Sequence, residues 1–237
     1  KSKLISETEA TNINSGESRQ VEGPVLQAIS NHSLVPWGPE INGSFKAGYT
    51  FFEENILKQE YIQNGKDNFD VVITGSKWCE EVLRNHGLDN VTTVIQGVDQ
   101  QIFNSHHSEK EIFKDKFVIF SGGKFEIRKG QDIVIKAYKI LQDRHKDVML
   151  VNSWYNMWGE SMNTMAASQH IKYQVNSKDY STIINTILHD NGLDTNRIVT
   201  MLPRPNAMMS KIYKNTDIGL FPNRCEGGTN LVLMEFM

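Results

Sequence analysis

Cysteine is scarce: the 237-residue chain has two, Cys79 and Cys225, far apart and at no metal-ligand spacing. Neither a disulfide framework nor a zinc site is expected, and both read as reduced thiols. Seven histidines also show no ligand spacing; His106 and His107 fall in a polar linker and read as solvated. No apolar run approaches the length that spans a bilayer, and the polar start Lys1-Ser2-Lys3-Leu4 lacks the apolar core of a signal peptide, so a cytoplasmic address is the default expectation. Charge of one sign is not in excess. Lys and Arg number 25 against 28 Asp and Glu, a formal net charge of -3, which removes the global footprint of a nucleic-acid binder and leaves any anion site local. There is no Asp-x-Asp metal motif, and no G-x-G-x-x-G follows a first strand, which counts against a nicotinamide oxidoreductase.

What is present is ordinary globular composition, 39% hydrophobic and 22% charged. The first 24 residues are polar and carry little periodicity. An apolar run at 25–29 and a strand-like Tyr49-Thr50-Phe51-Phe52 follow, separated by turns at Pro36 and Gly38-Pro39. From Asp70 the rhythm is regular. Residues 71–74 read as a buried strand, Ser76 as an N-cap, 77–86 as a helix ended by Gly87, and 91–95 as the next strand. The pattern breaks at Gly97-Val98-Asp99, and the polar stretch 104–116 marks the expected interdomain boundary. A second series starts at strand 117–120 and continues with a helix whose apolar face is Ile133, Val134, Ala137, Tyr138 and Leu141, and strand 148–151. Residues 152–177 read as irregular, with Trp154 and Trp158 either walling a ligand cleft or, on the favoured reading, packing an insertion. Then come a helix with Ile183, Ile184, Ile187 and Leu188, strand 198–202, helix 207–214 and strand 218–221. Short apolar strands alternating with helices imply doubly wound parallel sheets, with ligands beyond the strand C-termini.

Two turns carry chemistry. The first, Ser121-Gly122-Gly123-Lys124-Phe125-Glu126-Ile127-Arg128-Lys129-Gly130, joins a strand to a helix, so its amides and the cations Lys124, Arg128 and Lys129 suit a diphosphate. The second, 223–237, again follows a strand. Glu226 precedes Gly227-Gly228-Thr229-Asn230, a helix starts near Leu231 with Leu231, Val232 and Leu233 as its buried part, and Glu235 lies on that helix. Both acids can accept hydrogen bonds from sugar hydroxyls.

In this order and spacing the two turns resemble glycosyltransferase family 4 and its relatives. Gly123-Lys124 with Lys129-Gly130 matches that family's G-R-x-x-x-x-K-G, with Lys for Arg, and Glu226 with Glu235 matches its E-x7-E with one extra residue in the turn. Val94-Ile95-Gln96-Gly97-Val98-Asp99 is similar to the family's I-P-N-G-V-D, with Gln96 for Asn, and 213–222 resembles the strand entering the carboxylate turn. The likeness covers about residues 49–237.

The resemblance implies an α/β chain of GT-B architecture, two Rossmann-like doubly wound domains, both incomplete: 1–98 the partial N-terminal acceptor-side domain, 99–237 the C-terminal donor domain, cut short in the helix carrying Glu235. It implies a retaining, metal-independent glycosyltransferase, a hexosyltransferase by expectation, that moves a sugar from a UDP- or GDP-sugar to a saccharide, lipid or protein acceptor without a cofactor. Gly123, Lys124 and Lys129 would bind the donor diphosphate. Glu226, the catalytic assignment, would bind the transferred sugar, Glu235 the ribose, and Gly228, Thr229, Asn230 and Leu231 the donor phosphates and sugar through their backbone. His32, in an acceptor-side loop, has no motif tying it to chemistry. Peripheral membrane contact would come through the N-terminal part expected to be missing, and a fragment of this kind could be inactive. The competing readings are a nucleotide-sugar epimerase of the same fold and a non-catalytic nucleotide-sugar-binding module.

Overall fold

The computed structural model describes residues 18–106 and 109–237; the expectations for residues 1–17 and for His107 lie outside them. The chain divides into two compact units, one of residues 18–96 with Glu226–Thr229, the other of Gly97–Cys225 with Asn230–Met237.

The first unit contains β1 (Arg19–Gln20), β2 (Pro24–Ala28), β3 (Ile41–Asn42), β4 (Phe45–Thr50), α1 (Gln59–Asn68), β5 (Val71–Thr74), α2 (Lys77–Asn85) and β6 (Val91–Thr93). β1 pairs with β3, and the main sheet runs β2-β4-β5-β6, all parallel, with Ala47 opposite Val71 and Val72 opposite Val91. Leu34, Phe52, Ile62, Val72, Leu83 and Leu88 form its core. β4 lies earlier than the apolar run suggests. Lys46 and Gly48 interrupt the hydrophobic pattern there, and pairing on both sides supplies the strand that propensity does not. α2 starts as expected, the Ser76 hydroxyl accepting from the Cys79 amide at 3.2 Å, and Gly87 follows it at φ +92°.

Glu80 on α2 gives this unit an acid-sensitive lock. Its carboxylate accepts from Lys77 Nζ at 2.8 Å, Thr93 Oγ1 at 2.6 Å and Arg84 Nε at 3.1 Å, tying α2 to β6. Those bonds, Lys77 first, lower its pKa from 4.5 to about 2. A depressed carboxyl stabilises the fold above its unfolded pKa, and that contribution is lost as pH falls from about 4.5 toward 2. Glu80→Gln is expected to flatten this acid limb in unfolding curves recorded from pH 6 to pH 2; an unchanged limb would remove Glu80 as its cause.

The second unit contains β7 (Phe117–Gly122), α3 (Gln131–Arg144), β8 (Val148–Ser153), α4 (Gly159–Asn163), α5 (Tyr180–Asp190), β9 (Ile198–Thr200), α6 (Asn206–Tyr213), β10 (Ile218–Gly219) and α7 (Leu231–Phe236). Its sheet is β10-β7-β8-β9, again all parallel. Alternate strand residues feed two cores. Ile119, Val148 and Leu150 pack with Val134, Tyr138 and Ile184 on one face, while Val118, Phe120 and Val151 pack with Phe103, Met209 and Tyr213 on the other. The α/β, parallel and doubly wound class is therefore realised in this sheet.

Within residues 152–177 the favoured packing reading holds for Trp154, whereas Trp158 is exposed. Trp154, Met162 and Met165 are buried within the α3/α5 core, because β8 runs on to Ser153 and delivers Trp154 beneath Phe125, with the indole NH donating to Ser121 Oγ at 3.0 Å. The expected buried face of the last helix is only half-buried at Leu231, Val232 and Leu233.

Candidate functional site

β8 lies on one side of β7 and β10 on the other, so the chain reverses its direction of sheet growth at β7. The crevice beyond the C-termini at such a reversal is where open parallel sheets bind ligands, and both motif turns leave from these two adjacent strands.

The turn after β7 is shaped by its glycines and by Gln131. Gly123 sits at φ +109° and donates its amide to Ser153 O at 3.1 Å. Gly130 caps α3 at φ +76°, with its Cα so near Pro222 that an added Cβ would stand 2.2 Å from the Pro222 oxygen. Buried Gln131 donates to Lys124 O at 2.8 Å and Gly123 O at 3.2 Å, fixing the turn from behind. Lys124 Nζ lies 4.7 Å from the Trp158 ring and 3.8 Å from Glu126 Oε1, and the Lys129 stem lies beside Gly123, its Cδ 3.8 Å from where a Cβ would be.

Arg224 joins the second turn to the first. Its amide donates to Arg128 O at 2.7 Å, and its guanidinium donates to Ile127 O at 2.6 Å and to both Asp132 oxygens at 2.8 Å. Asp132 is fully buried and also accepts from Ser168 Oγ at 2.6 Å. Burial alone would raise its pKa, but Arg224 and Ser168 outweigh it and hold the carboxyl below its ordinary value. Further on, the Asn230 side chain caps α7 by accepting from the Leu233 amide at 3.2 Å. Glu235 on α7 accepts from Tyr213 Oη at 3.3 Å, and burial pushes its carboxyl above the usual range against that hydrogen bond.

Gly123, Lys124 and Glu235 meet in one cleft of about 220 Å³ at the strand C-termini, with Tyr155, Arg204 and Tyr213 among its other walls. Cations on one side and a desolvated carboxylate on the other can hold a ligand carrying both phosphate and hydroxyl groups. Lys129, Asn230 and Leu231 belong to the same unit but are not among its walls. Glu226, Gly228 and Thr229 group with the first unit. There Gly227 is pressed against Phe52, an added Cβ falling 1.8 Å from the Phe52 oxygen, and its own oxygen accepts from Ser76 Oγ at 2.6 Å and Cys79 Sγ at 2.8 Å. Within that unit His32 stands 3.7 Å from Glu54.

Sequence reasoning missed Gln131, the Asp132–Arg224 pair and Arg204. Only Arg204 had a local signal, an arginine fixed between Pro203 and Pro205 just past a strand end. Among the described residues, no group of three His, Cys, Asp or Glu is placed to hold a metal ion, and no helix is long and apolar enough to cross a membrane.

No protein-family model and no curated protein matches this chain. Solved structures do. A TarM variant from S. aureus in complex with fondaparinux, alpha-GlcNAc-glycerol and UDP superposes with TM-score 0.56 at 13% identity, over 82% of this chain and 35% of that one. HepE from Anabaena in complex with UDP and glucose gives 0.56 at 12%, over 83% and 64%, and a trehalose-6-phosphate synthase from E. coli bound with UDP-2-fluoro glucose gives 0.58 at 13%, over 81% and 50%. The chain has the GT-B fold. At such identities the likeness is one of fold, and the chain spans between a third and two thirds of these neighbours' lengths.

Proposed function

We propose that the chain is part of a retaining glycosyltransferase that transfers a hexosyl group from a nucleoside-diphosphate sugar, with residues 99–237 binding the donor. The observation that carries this is the convergence of Gly123, Lys124 and Glu235 on one cleft beside the reversal at β7. The neighbours' bound UDP and UDP-2-fluoro glucose favour a UDP-sugar donor over a GDP-sugar, and fondaparinux and glucose favour a saccharide acceptor over a lipid or protein.

On this reading Lys124 and Lys129 stabilise the charge that develops on the diphosphate oxygen as the glycosidic bond breaks. Glu235 accepts from the ribose hydroxyls, a task for its ionised form. Glu226 takes the transferred sugar, and the backbone of Gly228, Thr229, Asn230 and Leu231 takes the donor phosphates and sugar; these roles rest on the family resemblance.

A thermal-shift panel of UDP, GDP, uridine and UDP-sugars tests the reading. Ligand at about a hundred times its Kd adds roughly 2.7 kcal/mol of stability, a rise of several degrees. UDP and a UDP-sugar are expected to give that rise, with Lys129→Ala and Glu235→Ala each abolishing most of it. Equal shifts in the wild-type chain and both variants would refute the assigned residues.

A further inference from the structure

The donor reading leaves Glu126, a charged side chain of the first turn, without a role. Glu126 lies between Lys124 and Arg128, with its side chain only 5% exposed. Its Oε1 is 2.8 Å from Arg128 Nε and 3.8 Å from Lys124 Nζ, yet takes no well-aligned hydrogen bond, so the compensation for its burial there comes from charge. The turn thus already holds an anion beside the phosphate subsite. Lys124 is the shared element: it faces this carboxylate and the Trp158 ring, and it also lines the cleft.

We propose that Glu126 is a positioning residue of the phosphate subsite, an internal counter-anion that holds Lys124 and Arg128 when the subsite is empty. It yields Lys124 to an arriving diphosphate and recovers it as the diphosphate leaves. Its charge weakens the hold of Lys124 and Lys129 on the departing nucleoside diphosphate, which favours product release. This inference rests on the donor reading for its substrate, but its physical content is tested by inorganic pyrophosphate alone.

Calorimetric titrations of pyrophosphate, UDP and uridine into the chain and its Glu126→Gln variant decide it. Glutamine keeps an oxygen for Arg128, removes the charge and turns the second oxygen into an NH2 donor. Glu126→Gln is expected to bind pyrophosphate and UDP about tenfold more tightly, the scale of a unit charge several ångströms from a phosphate at intermediate dielectric, with uridine unchanged. Adding Lys124→Met should erase the gain. Equal or weaker pyrophosphate binding by a folded Glu126→Gln variant overturns the proposal, whereas a merely structural role would move uridine and pyrophosphate together. Tighter pyrophosphate without any nucleoside-dependent affinity for UDP would sink the donor reading and leave the counter-anion standing. Should the variant fail to fold, ¹³C-methylated Lys124 in the unsubstituted chain gives the answer: its signal moves on adding pyrophosphate if it leaves Glu126, and a stationary signal overturns the proposal.

Discussion

Gly130→Ala and Gly227→Ala are each expected to destabilise the chain by about 3 kcal/mol, for different reasons. At Gly130 two penalties add. The residue sits at φ +76°, where an L side chain costs about 1–2 kcal/mol, and its methyl would stand 2.2 Å from the Pro222 oxygen and 2.9 Å from the Pro222 carbon. Both atoms are backbone, so relief requires moving the strand exit after β10 away from the start of α3. Gly227 carries no such φ, but its methyl would fall 1.8 Å from the Phe52 oxygen and 2.3 Å from the Phe52 carbon. The usual gain from a less flexible unfolded chain on Gly→Ala, about 0.4–1 kcal/mol, is too small to reverse either sign. Unfolding midpoints should fall by about 10 °C in both variants. A midpoint within a degree or two of wild type would show that the backbone yields freely there. The two glycines are separable by ligand: Gly130→Ala displaces the turn carrying Lys124 and should weaken pyrophosphate binding, whereas Gly227 packs within the other unit.

These glycines also mark the limit of what the sequence shows. A Gly-Gly pair after a strand reads as room for a ligand, and Gly227 instead makes room for the Phe52 backbone, a contact 175 residues away that no local pattern encodes. The strand and helix rhythm was legible because it is local. The run 71–74, the Ser76 cap and the four apolar positions of α5 all follow from period and capping, and the structure places them there. Strand ends were less legible, since pairing partners decide them: β6 stops at Thr93 although Val94 and Ile95 continue the apolar run, and both are exposed. In 152–177 packing of Trp154 was the favoured reading, but Trp, Met and Asn without periodicity look like an insertion rather than part of the main core. Burial of Trp154, Met162 and Met165 depends on α3 and α5 arriving from elsewhere in the chain. At the candidate site, Gly123, Lys124 and Glu235 were named from two motifs about a hundred residues apart, and the cleft joins them. What the motifs omitted is the support behind them. Gln131 and Asp132 look like ordinary first-turn helix residues, and only the fold reveals that both are buried and bonded to the turns.

Arg224→Ala is expected to lower stability by about 3 kcal/mol and to loosen the phosphate-binding turn with it. The estimate stands at the low end for breaking a buried ion pair, because Asp132 is fully buried while the Arg224 side chain keeps 35% of its exposure. Removing the guanidinium strips Asp132 of both bidentate bonds and leaves Ser168 as its one side-chain donor, while Ile127 O loses its partner from the same group. The pH dependence then changes sign. In the wild-type chain the Asp132 carboxyl is held below its ordinary 3.8, so the pair stabilises the fold above that pH and its contribution fades as pH falls through the lower folded value. Without Arg224 the burial that now loses to it would prevail and raise the carboxyl, so the variant is at its worst near neutrality and recovers as Asp132 takes up a proton. Adding Asp132→Asn to Arg224→Ala should therefore restore part of the loss at pH 7, measured by urea unfolding, and the single variant should narrow its gap to wild type toward pH 5. A double variant as unstable as the sum of the two singles would mean that the pair does not couple. Arg224→Ala is expected to lose UDP binding together with stability, because Arg224 acts on the cleft by holding the turn after β10 to the start of α3.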